Sequence, residues 1–283
     1  MTYSWPGGKR AAVCFTFDFD GESPYLWRSR DSHGAAVGEL EQRRYGPNRG
    51  VTNLLSMLDN LRLTATAFVP GWIAHEYPDQ VAKIVRSGHE LALHGWCHEP
   101  PTHLSADDLR RTLDRAAAEL TGISGVRPVG YRSPSWDMSV DVFPVLRSLG
   151  VSYDSSLMGD DRPYEVDGVI EVPVDWSTDD APYYRYVAGD PRPPATVPEV
   201  REGWRAEIAS AKKHGTLCMI TVHPWLSGRP TRVDALEELL APVIADAELW
   251  CPTAGEIAAH HAGLDDAGSH KVSLDQLRRP SHD

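Results

Sequence analysis

The sequence predicts an α/β protein wound as a parallel (β/α) barrel, or a distorted form of one. Two observations carry that prediction. Short β-rich runs alternate with amphipathic helical stretches along almost the whole chain, the pattern of successive βαβ units. No glycine-rich dinucleotide fingerprint opens a helix after the first strand, which disfavours a doubly wound nucleotide-binding sheet.

In order, the strand candidates are residues 11–19, 64–70, 89–95, 128–133, 151–156, 169–176, 216–223 and 248–253. Helical patterns fall between them at 51–61, 79–88, 105–122, 139–150, 204–215 and 232–246. Several of these open with Ser, Thr or Asp and close with Gly, the side chains that satisfy unpaired helix ends. Residues 21–50 and 177–198 stand outside the alternation and read as long loops: lids, binding segments or subunit contacts. Residues 1–264 read as one domain, and 265–283 as a polar, frayed tail.

The 283 residues include 28 Lys+Arg against 40 Asp+Glu, a net charge of −12. An acidic balance argues against nucleic-acid or anionic-membrane partners, which are held by basic patches. No run approaches the ~20 apolar residues of a membrane span. Residues 1–15 lack the basic-then-apolar pattern of a secretory leader, so a cytoplasmic location is expected. Four cysteines, mostly in strand-like runs, read as reduced buried thiols rather than a disulfide framework.

The chemistry-bearing residues lie at strand ends. Asp18 and Asp20 close the first strand one residue apart, so both side chains point the same way. Two carboxylates on one side repel unless a cation lies between them or their roles differ. His94 and His98 end the third strand candidate, and a four-residue separation lets two imidazoles converge from a helical turn or a tight loop. Asp20, His94 and His98 together form a two-His, one-carboxylate metal site with an open position for water. His223 ends another strand, and Arg132, at the end of 128–133, is placed to hold Asp18 ionised. Seven further histidines (His75, His89, His103, His214, His260, His261 and His270) read as surface residues.

The stretches "TFDFDG", "HGWCH", "YRSPSW", "VPVDW" and "ITVHP" occur in this order, and with them the chain resembles the polysaccharide deacetylase (NodB-homology) family over residues 11–260. The resemblance implies a distorted (β/α) barrel of the NodB-homology type and a divalent ion, most often zinc, supporting hydrolysis of N-acyl groups on sugars. It implies Asp20, His94 and His98 as metal ligands, Asp18 as general base, Arg132 as its orienting partner and His223 as general acid. Asp175, in the fourth stretch, is implied as the residue tuning His223. The first stretch reads D-F-D where extracellular members have adjacent acids, and Ser135 intervenes before Trp136. These departures, with the long 21–50 segment, resemble an intracellular branch that holds peptidoglycan-deacetylase-like proteins, cyclic imide hydrolases and metal-independent allantoinases.

The expected reaction is hydrolysis of a non-peptide C–N bond in an amino sugar or related small amide, with a backbone N–H of 132–136 helping to hold the oxyanion. The alternatives are ring opening of a cyclic imide or an allantoin-like ureide and, from another class, a non-catalytic carbohydrate-binding barrel. The branch resembled also implies a homo-oligomer.

Overall fold

The structure, a computed structural model, describes residues 3–186, 191–264 and 270–277. The chain begins β1 (Ala11–Asp18), α1 (Ser23–Arg28), α2 (Val37–Tyr45), α3 (Val51–Leu61), β2 (Thr66–Val69), α4 (Gly71–Glu76), α5 (Pro78–Arg86) and β3 (Glu90–Leu93). Then follow α6 (Ala106–Ser124), β4 (Gly130–Tyr131), α7 (Val142–Ser148), β5 (Tyr153–Asp154), β6 (Tyr164–Val166) and β7 (Val169–Glu171). The last part holds α8 (Ala181–Tyr184), α9 (Val197–His214), β8 (Leu217–Val222), α10 (Pro224–Ser227), α11 (Pro230–Ala245), β9 (Leu249–Trp250), α12 (Ala254–Ala262) and β10 (Lys271–Val272).

The strands form one curled sheet in the order β10-β6-β7-β5-β4-β3-β2-β1-β8, with β9 added beside the start of β1. Every pairing is parallel except β6 with β7. The curl is a distorted (β/α) barrel, as the sequence predicts. No strand ladder joins β8 to β7. The segment after β7 reaches across instead, through an isolated bridge of Asp179 with Thr221 and the Asp180 N–H donating to the Thr221 carbonyl at 3.1 Å.

Register on β1 decides what faces the interior of the curl. Val13, Phe15 and Phe17 join the large cluster with helix residues such as Leu54, Leu58 and Leu113. Ala12 and Cys14 join a smaller cluster with Phe68, Ala92, Tyr153 and Met219. Two-residue alternation then carries the inner face through Thr16 to Asp18, both of them buried.

The six predicted helices are all present, and two of them, α6 and α9, carry side-chain caps at their N-termini. The Ser105 hydroxyl accepts from the Asp108 N–H at the start of α6, which ends at left-handed Gly125. Thr196 and Glu199 cap α9 reciprocally.

Three expectations are corrected. Residues 21–50 are not a loop: α1 and α2 fill much of the segment, and a π-helical turn, Gly46–Gly50, runs straight into α3. Gly50 sits where that turn presses on α10, and a Cβ there would overlap the Pro224 carbonyl. β6 was not foreseen as a strand, although "VDGV" carries a hairpin signal: Asp167 and Gly168 both take positive φ, as a tight two-residue turn requires. His89 and His261 are buried rather than superficial, bonded to the Ala65 N–H and the Tyr3 hydroxyl. Of the expected tail, residues 270–277 are described, and Lys271–Val272 extends the sheet along β6. No helix among the described residues is long and apolar enough to cross a membrane, and all four cysteines are free.

Candidate active site

At the C-terminal edge of the curl, the ends of β1, β3, β4 and β8 converge on one cavity of about 510 Å³. Asp18 is the last residue of β1, and the chain turns at Gly21, whose φ of +49° and 2.6 Å clearance from Ile73 leave no room for a Cβ. The Ser23 N–H and hydroxyl both donate to the Asp20 carbonyl, fixing the turn that aims the Asp20 carboxylate inward.

His94 and His98 converge from a tight loop rather than a helical turn. Gly95 and His98 both adopt left-handed φ, and the two rings lie 5.0 Å apart, nearly perpendicular. Glu99 closes this loop: its carboxylate accepts from the Trp96 N–H at 3.0 Å and the Cys97 N–H at 2.5 Å. The His94 Nδ1–H donates to the Arg132 carbonyl at 2.8 Å, which leaves its Nε2 facing Asp20 Oδ1 at 3.3 Å. His98 Nε2 lies 3.5 Å from Asp20 Oδ2.

Asp20, His94 and His98 can all offer one ligand atom to a single ion. Asp20 Oδ1 and His94 Nε2 are buried without a hydrogen-bond partner. Two lone-pair donors buried face to face in this way call for a cation between them, and the residues fit a two-His, one-carboxylate metal centre. Burial presses the Asp20 carboxyl upward, but His98 and His94, with His223 beyond, outweigh it and hold it ionised. His98 is driven down to about 4, chiefly by burial, which keeps its imidazole neutral as a ligand must be.

Arg132 is fully buried and pairs with Asp18 at 2.8 Å. Its other nitrogens donate to the Ser155 carbonyl and hydroxyl, and Nη1 also reaches Thr16 and Thr221. The guanidinium lies over the Phe68 ring at 3.9 Å. Asp18 Oδ1 is thereby committed, and Oδ2 points towards His94 Nε2 at 3.8 Å.

His223 ends β8 with Nε2 3.6 Å from Asp20 Oδ2. Its Nδ1 bonds Asp180 Oδ1 at 2.6 Å, and its backbone N–H donates to the second oxygen of the same carboxylate. Burial opposes protonation of His223, yet Asp180 and Asp179 raise its pKa well above the usual imidazole range. The neighbouring Asp179 carboxyl is pushed up to about 7, first by burial.

The structure therefore brings together Asp18, Asp20, His94, His98, Arg132 and His223, but not Asp175. Asp175 is exposed and caps a 3₁₀ turn by accepting from the Ser177 N–H. The chain leaves the sheet there and returns five residues later, so Asp180 takes the place beside His223. The backbone donor expected in 132–136 is also not at Arg132, Ser133 or Trp136, whose amides are spent on Leu93, Ser156 and Ser133. Ser135 and Trp136 both have left-handed φ, a costly turn that brings Trp136 against Trp176, ring centres 4.1 Å apart, at the cavity wall.

A curled, mostly parallel sheet with this cluster at its C-terminal edge makes the cavity the candidate active site. Residues 45–153 match the family described as polysaccharide deacetylase. The fold aligns with a crystal structure of a Mycobacterium smegmatis protein described as a "putative polysaccharide deacetylase", with a TM-score of 0.85, 40% identity and 92% coverage of each chain. A peptidoglycan deacetylase of Helicobacter pylori is 24% identical over 78% of this chain and 86% of its own. A peptidoglycan deacetylase-like protein of Gibberella zeae is 32% identical, over 54% of this chain and less than half, 46%, of its own length. The chain belongs to the polysaccharide deacetylase family.

Proposed function

We propose that the protein hydrolyses an amide C–N bond with a zinc or similar divalent ion, removing N-acyl groups from an amino sugar or a related small amide. The observation that carries this reading is the pair of unpartnered, buried lone-pair donors on Asp20 and His94, set beside an Arg-held carboxylate and an Asp-held histidine. Asp20, His94 and His98 would hold the ion. When bound, it supplies a Lewis acid and lowers the pKa of water towards ~7.

The chain's own groups do the rest. Asp18 takes the proton of the attacking water on Oδ2, since Arg132 occupies Oδ1. His223, protonated and oriented by Asp180 through Nδ1, delivers a proton from Nε2 to the departing nitrogen. Trp136 and Trp176 wall the cavity and exclude water from one side. Ring opening of a cyclic imide is the second reading. It is favoured by α1 and α2, whose Trp27, Arg28 and Arg43 roof a cavity of small-molecule size.

Metal-loaded protein assayed on N-acetylglucosamine oligomers and on succinimide separates the two: free amine appears in the first case, a ring-opened acid in the second. Turnover of neither, with metal bound, overturns both readings.

Proton delivery has its own signature. Asp180 raises the pKa of His223, so Asp180→Asn lowers it, and the imidazolium is lost at lower pH. The alkaline limb of kcat/KM is expected to move to lower pH, with activity at pH 8 down ~10- to 100-fold. An unmoved limb would remove His223 as the acid.

A further inference from the structure

Arg43, on the inward side of α2, is buried and lines the same cavity. Its guanidinium stacks over the Trp225 ring at 4.7 Å, yet it makes no hydrogen bond among the described residues, and Nε is buried and unsatisfied. Its single ion-pair neighbour there is Glu39, 3.6 Å from Nε. That carboxylate is already hydrogen-bonded to Arg28. A buried guanidinium with open donors is costly unless an acceptor arrives.

Among the described residues, nothing in the cavity supplies that acceptor. Asp18 is held by Arg132, Asp179 by the Ala181 N–H and Asp180 by His223, and Asp20 faces three imidazoles. Arg185 lines the same cavity and has no acidic partner within ion-pair distance among the described residues. Arg28 and Arg30, by contrast, are engaged with Glu39, Asp31 and nearby carbonyl oxygens. Among the described residues, the guanidinium donors left without an acceptor therefore belong to Arg43 and Arg185.

We infer that Arg43, assisted by Arg185, anchors a carboxylate on the substrate, so that the amide hydrolysed is anionic. Planar, bidentate donors of this kind suit a carboxylate. The carboxylate could belong to a sugar acid or to a small carboxylated imide or ureide, and a cavity of about 510 Å³ holds either. The inference rests on the amide-hydrolase reading for where the scissile bond lies, but the anion site itself does not depend on turnover.

The test is equilibrium binding to the purified full chain, read by tryptophan fluorescence and calorimetry. Two matched pairs are titrated: N-acetylmuramic acid against N-acetylglucosamine, and hydantoin-5-acetic acid against hydantoin. In at least one pair the acid should bind ~10-fold or more tightly than its neutral partner, as charge-assisted bonds allow. Arg43→Gln should erase that preference. Glu39→Gln, which removes the competing carboxylate at a half-exposed position, should strengthen acid binding several-fold and serves if Arg43→Gln does not fold. Equal binding of acid and neutral members in both pairs overturns the inference, as does a preference that survives in folded Arg43→Gln or fails to rise in Glu39→Gln. Acid preference without turnover of any amide would retire the proposed reaction and leave the anion site standing. Turnover without acid preference would do the reverse.

Discussion

Asp18→Asn should lower kcat by ~10²- to 10⁴-fold, the range a positioned general base contributes, while bound metal stays at the wild-type level. The asymmetry follows from how Asp18, at the end of β1, and Asp20, in the turn after it, divide. Asparagine keeps an oxygen to accept from Arg132 Nη1, so the hydrogen bond at 2.8 Å has a substitute, but it has no basicity for the water proton. Alanine is the harsher change, because Arg132 is fully buried and Asp18 is the acid it pairs with. Stranding that charge costs ~3–5 kcal/mol, which would appear as a lowered denaturation midpoint. A kcat within tenfold of wild type in Asp18→Asn would assign the proton to another group. Metal lost together with activity would instead place Asp18 among the ligands.

His94→Ala should abolish both metal binding and turnover. Elemental analysis is the direct measurement, and thermal stability is a second. A ligand bound at 100 times its Kd stabilises the native state by ~2.7 kcal/mol. Chelation should therefore lower the Tm of the wild type and leave that of His94→Ala unchanged. The substitution also strips a hydrogen bond from the buried Arg132 carbonyl, so the variant starts from a lower Tm even without metal, by the ~1–3 kcal/mol of an unmet polar group. Retained metal in a folded His94→Ala would sink the ligand assignment, and retained turnover after exhaustive chelation would sink the metal-assisted reaction.

Much of this site was legible in the sequence because its residues sit at the ends of strands whose pattern is unambiguous. On β1, alternation alone puts Thr16 and Asp18 on one face, and the structure finds both on the inside. The two histidines of "HGWCH" are bracketed by a glycine that frees the backbone to turn, so their convergence could be read without knowing the loop. What could not be read depends on contacts between distant segments. Asp175 and Asp180 are both acids in one polar stretch, and only the return of the chain to Thr221 decides that Asp180 meets His223. Glu99 looks like any surface glutamate until its carboxylate is found closing the His94–His98 loop. Residues 21–50 read as a loop because α1 is short and α2 strongly charged, and neither shows a clear apolar stripe. Their order comes from packing on α10, with Gly50 against Pro224 and Arg43 against Trp225, and that is where the proposed anion site lies.

The seam between β8 and β7 gives the two halves of the chemistry different mechanical supports. The candidate metal ligands ride on the continuous part of the sheet, whereas the carboxylate behind His223 arrives on a strap tacked to β8 at Thr221. Changes elsewhere in that strap can retune leaving-group protonation while the grip on a cation stays as it was, so nitrogen basicity and carbonyl activation are free to be adjusted one at a time.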